Sequence, residues 1–165
     1  MNCYAHNRHW SDQFLPEIKS IVGSHLLRPA PDPLDRFQAT DLLMLDAKDT
    51  RIAARVRRFG YADRYPYQFT IRALLPSGAE TELSKIVNGY GDWMFYGHSG
   101  EDGRTLESWW LIDLRAFRAA LIRHGTTGQC VLMGDKRNED GTCFKWFDIR
   151  SFPKEPPLVV ASSFV

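Results

Sequence analysis

The segment Arg51-Ile-Ala-Ala-Arg-Val-Arg-Arg58 constrains the fold most, because it interleaves apolar residues with cations at a spacing of two. Side chains of a strand point alternately to opposite faces. Ile52, Ala54 and Val56 therefore share one face, and Arg51, Ala53, Arg55 and Arg57 share the other. A chain built around such a strand is expected to pack its apolar face and to present the cationic one. Two uses of that face are open. Forked, permanently charged guanidinium groups suit phosphate oxygens, and Arg58, Arg64 and Arg72 lie close enough in sequence to enlarge the patch. Alternatively, Asp41, Asp46 or Asp49 balances a solvated strand face, whose cations also guard an edge against mispairing.

With 165 residues, the chain suits one domain with one core. That core is expected over about 10–125, with a C-terminal hairpin and tail over 126–165. Trp10, Phe14, Ile18, Ile21, Val22 and Leu26 have near-helical spacing, and Pro16 fits only near a first turn. The proline-rich stretch from Arg28 to Pro33 stops that helix. Strands are expected over Phe37–Leu45, Ile52–Arg58 and Gln68–Leu74, running as a meander. Ser77-Gly-Ala-Glu80 reads as a capping box for a helix that turns Leu83, Ile86 and Val87 inward and ends at Gly89. Strands Asp92–Tyr96 and Trp109–Leu114, a helix from Arg115 to Gly125 and a hairpin around Asn138-Glu-Asp-Gly141 follow. The sum is an α/β (α+β) fold in which helices flank a single mixed sheet.

A net charge of +1 argues against a uniform polycation, so any nucleic-acid site must be local. The N-terminus carries no basic region followed by an apolar run, and no stretch reaches bilayer length. A cytoplasmic location without membrane contact is expected. Three widely spaced cysteines, Cys3, Cys130 and Cys143, suit neither a disulfide framework nor a zinc knuckle. Tyr61, Tyr65 and Tyr67 surround Arg64, and their rings could stack on bases or pack at the core edge. Asp41 stands at the mouth of the apolar run Leu42–Leu45, where a carboxylate needs a cation or a metal.

A helix, a three-strand meander, a helix and a strand, with an Asp on the first strand, resembles the αβββαβ core of the PD-(D/E)XK nuclease superfamily over roughly residues 10–115. The phrasing Arg55-Val-Arg57, Phe69-Thr-Ile-Arg72, Thr81-Glu-Leu-Ser-Lys85 and Gly91-Asp-Trp-Met-Phe-Tyr96 also resembles uncharacterised phage and prophage proteins of similar length. The superfamily likeness implies a Mg²⁺- or Mn²⁺-dependent phosphodiesterase acting on DNA or RNA, in which carboxylates hold a hard cation that activates water. It places Asp41 as the principal metal ligand and Glu82 or Glu17 as the second acid. Lys85, Arg55 or Arg57 would stabilise developing charge, with Asp41, Glu82 and Lys85 as the catalytic set. Arg51, Arg55, Arg57, Arg58, Arg64 and Arg72 would hold the nucleic acid. Arginines occupy the second-strand positions where the superfamily carries its acidic-x-Lys triplet, which favours binding over cutting unless Glu82 completes the site. The phage likeness implies the cytosol of a bacterial host. The alternative is a non-catalytic factor that engages a host protein through the same arginines and aromatics.

Overall fold

The computed structural model describes residues 3–29, 42–44, 50–128 and 130–164. Two helices lead the chain, α1 (Cys3–Asp12) and α2 (Leu15–Leu26), where the apolar spacing implied one from 10 to 26. Pro16 explains the break: it lacks an N–H to donate and its ring crowds the carbonyl four residues back, so the helix must restart with proline in its first turn. Phe14, at the joint, is fully buried with Ile18 and Val22 one and two turns on. Short strands β1 (Leu27–Pro29) and β2 (Leu42–Met44) pair antiparallel. Asp41 and the rest of the expected first strand lie outside the described residues.

The arginine segment forms β3 (Ile52–Arg57), and β4 (Gln68–Leu74) has the bounds the alternation predicts. They are not neighbours, and the single mixed sheet is replaced by two. In one, β3 runs parallel to β5 (Trp93–Ser99), followed by antiparallel β6 (Leu106–Asp113) and β9 (Val159–Ser162). In the other, β4 pairs with β8 (Cys143–Asp148), which pairs with β7 (Met133–Arg137), all antiparallel. The meander fails between Arg57 and Gln68. Ten residues intervene, Gly60 takes a left-handed turn (φ 80°), and the one-turn helix α3 (Tyr61–Arg64) carries the chain away from the first sheet. The expected hairpin around Asn138–Gly141 is present as the β7–β8 connection.

Strand β5 is buried from Met94 to Ser99 because the first sheet is covered on both faces. Phe95 and Leu111 on one face meet Phe14, Ile18 and Val22 of the α1–α2 layer. Met94, Tyr96, Trp110 and Ile112 on the other meet Phe69, Ile71 and Phe147 of the second sheet, with Phe117 of α5 (Leu114–Thr127). Rings Phe69, Phe117, Phe147 and Phe152 lie 5.0–6.4 Å apart, which is where much of the high aromatic content goes. Asp113 caps α5 through bonds from the Arg115 and Ala116 amides.

Helix α4 (Glu82–Val87) starts later than the Ser77–Glu80 box implied. Its N-cap is Thr81, whose hydroxyl accepts from the Ser84 amide, and it ends before Gly89 (φ 93°) as expected. Leu83 and Ile86 face the core, while Val87 is exposed. No helix among the described residues is long and apolar enough to cross a membrane.

Candidate functional site

The alternation of β3 is as read, but the expected division into a packed apolar face and an open cationic face holds only at Val56, which packs against the α1–α2 core. Ile52 and Ala54 are exposed, whereas Arg55 and Arg57 are half-buried in the seam between the two sheets. Arginine can do this because its three-carbon stem packs like an apolar side chain while the planar head finds aromatic and carboxylate partners.

The register sets the positions. Parallel pairing places Arg55 beside Tyr96 and Arg57 beside His98 of β5, and antiparallel pairing places Arg72 of β4 beside Phe144 of β8. Three guanidinium carbons then surround one ring: Arg55, Arg57 and Arg72 lie 5.1, 5.9 and 5.5 Å from the centre of Phe144. Each gains from the negative face of the ring. Arg57 also lies 4.2 Å from the Tyr61 ring, and the Lys136 amine lies 5.9 and 5.7 Å from the rings of Tyr61 and Tyr65. Cation and aromatic groups therefore alternate from Phe144 out to β7.

One carboxylate enters this group. Glu82, in the first turn of α4, accepts a 2.6 Å charge-assisted bond from Arg55 and a 3.3 Å bond from the Arg72 amide. Burial pushes the Arg55 guanidinium below its ordinary range; Glu82 works against that shift, while the charges of Arg57 and Arg72 add to it. The Nε atoms of Arg57 and Arg72 are out of solvent and have no hydrogen-bond acceptor among the described residues. A buried charged donor left unpaired is costly, so these two atoms are the site's unmet demand.

The floor is polar but neutral. Tyr96 shares a 3.2 Å hydrogen bond with the Thr70 hydroxyl, and burial raises its pKa, which keeps the phenol protonated. His98, 2 % exposed, lies 3.0 Å from the Ser108 hydroxyl through Nδ1, with its ring edge-on to Tyr96 and Trp110. Burial, helped by the charge on Arg57, lowers its pKa from 6.5 to about 4. It is therefore uncharged at neutral pH.

The other arginines read from the sequence do not join this group. Arg51, just before β3, is held by Asp92 and lies 6.0 Å from the Tyr90 ring. Arg58 turns to the opposite face, 4.6 Å over Trp10. Arg64 is exposed on α3, and Tyr61 serves Arg57 and Lys136 while Tyr67 lies under Arg150, 4.0 Å away.

The acids read as metal ligands are likewise dispersed. Glu17 accepts from the Leu106 amide on the α2 side of the first sheet, whereas Glu82 pairs with Arg55 on the side facing the second sheet. The sheet stands between them, so they do not converge. Lys85 is exposed in the last turn of α4, and Asp41 lies outside the described residues. Glu82 is committed to the Arg55 guanidinium and the Arg72 amide, and no group of three His, Cys, Asp or Glu among the described residues could hold a metal ion.

Phe144, Tyr96, His98 and Lys136 are participants that sequence reading missed. For His98 a signal existed, since it shares β5 parity with the core residues Met94 and Tyr96. For Phe144 none did, because nothing local ties it to strands some seventy residues earlier. No protein-family model, curated protein or solved structure matches this chain.

Proposed function

We propose that the protein binds nucleic acid through phosphate at the Arg55–Arg57–Arg72 cluster. This rests on one observation: three guanidinium groups share a ring with a single carboxylate, and two of them keep a buried Nε without an acceptor. A phosphate brings negative charge and several strong acceptor oxygens to that place, matching the forked geometry of arginine. Tyr61 and Tyr65 stand beside Arg57 and Lys136, where an unpaired base has rings to stack on. A single strand suits this arrangement better than a duplex, whose stacked bases offer no face to a ring. The cluster binds without cutting, since Glu82 balances Arg55 and is not free to serve as the second ligand that the nuclease resemblance implies.

Fluorescence anisotropy with labelled single-stranded DNA and RNA, at about 50 and about 200 mM salt, tests this. Binding should weaken steeply over that range, and R57Q combined with R72Q should lower affinity by about tenfold or more. The variant R64Q, which alters an exposed arginine outside the cluster, should change little. Affinity that ignores both salt and the double substitution would overturn the proposal, and salt-insensitive capture of a protein would favour the interaction-factor alternative.

A further inference from the structure

We infer that the cluster takes the terminal phosphate monoester of a strand in preference to an internal phosphodiester, an inference that rests on reading the site as one for nucleic-acid phosphate. The charge to be met is double. Arg55 is balanced by Glu82, while Arg57 and Arg72 have no carboxylate within ion-pair distance among the described residues. A further acid, Asp140, feels the charge of Arg72, but it is exposed on the β7–β8 turn with its carboxylate spent on the Thr142 amide and hydroxyl. His98 adds no charge at neutral pH, so the surplus stays at two. An internal phosphodiester carries one negative charge and offers two free oxygens. A terminal monoester carries between one and a half and two at about pH 7 and offers three.

Enclosure points the same way. The Arg55 side chain keeps only 14 % of its exposure, and both orphaned Nε atoms are out of solvent between the sheets. A strand threaded past an internal phosphate needs open groove on both sides of the arginines. A terminal group needs access from one side only. On the side of Arg57 that holds Tyr61, the rings of Tyr61 and Tyr65 stand 5.9 Å apart, where a terminal base could lie beside them. Lys136 lies over both rings and would contribute charge to the next phosphate along the strand.

The experiment uses one single-stranded sequence in four forms: with a 5′-phosphate, with a 3′-phosphate, with hydroxyls at both ends, and closed into a circle. Binding of each to the full chain is measured by competition against a labelled strand at fixed salt. One of the phosphorylated forms should compete about tenfold more strongly than the hydroxyl and circular forms. R72K, which keeps the charge but loses the fork, should reduce that preference. Equal, salt-sensitive competition by all four forms would overturn the inference and leave the nucleic-acid function standing. No salt-sensitive binding of any form would overturn both. The contrast among the four is read on the unaltered protein, so it does not depend on any variant folding.

Discussion

His98 shows how one residue links the site to the stability of the whole. It is buried neutral in the folded chain with a pKa of about 4, against 6.5 when ordinary solvent surrounds it. The unfolded chain therefore takes up a proton as pH falls through the ordinary value, while the folded chain resists until the lower one. Stability is complete above the upper limit and is lost progressively as pH falls towards the lower, with the His98 share reaching about 3 kcal/mol. Urea unfolding at about pH 7 and about pH 4.5 should show this loss, and H98Q should remove about that much of the difference. An unchanged pH dependence in H98Q would place the acid sensitivity elsewhere. Single residues were only partly legible from sequence. Arg55 and Arg57 could be named as a pair on one face, but their burial depends on Phe144 and Glu82, which reach them only through tertiary packing.

Among the elements, strands were easier to read than their neighbours. Phe69 and Ile71 alternate with Thr70 and Arg72, so period two reveals β4 at once, and the same reasoning finds β3 to within one residue at its C-terminal end. Pairing is a different kind of information. The second sheet joins residues 68–74 to 143–148, a partnership decided by which faces can be buried together and not by the turn that follows β3. A close approach inside that sheet makes one element fragile. A Cβ added at Gly134 of β7 would stand 2.7 Å from three atoms of the Trp146 indole, a rigid ring that would have to shift as a whole. G134A should therefore cost about 1–3 kcal/mol and lower the thermal midpoint, measured by circular dichroism. A variant as stable as the parent would mean that β7 can slide away from β8 without loss.

For the whole molecule, the first sheet is common property of two cores. Adjacent residues make this plain: Trp109 stacks on Phe95 on the α2 side, while Trp110 stacks on Tyr96 and Phe164 on the other. Neither layer can leave without exposing strands that the other needs, so the domain should unfold as one unit. Fluorine NMR of protein carrying 5-fluorotryptophan resolves the two indoles separately, and both signals should disappear at the same urea concentration. Loss of the Trp109 signal first would mark α1 and α2 as a separately melting layer. Both faces of this sheet are apolar in sequence, yet the double covering could not be read there, because β9 and the path of the chain beyond the last hairpin carry no local sign of returning to β6.

The seam between the sheets is unlike at its two ends. Around Phe69, Phe117 and Phe147 it is closed by packed aromatic rings, whereas at Phe144 it is bridged by like charges, Arg55 and Arg57 from one sheet and Arg72 from the other. With the site empty, repulsion among those cations works to part the sheets. An anion lodged there turns the same three groups into a clasp, so occupancy is written directly into folding free energy as mass action requires. Were the proposed phosphate to bind there, the melting temperature would gauge how full the site is.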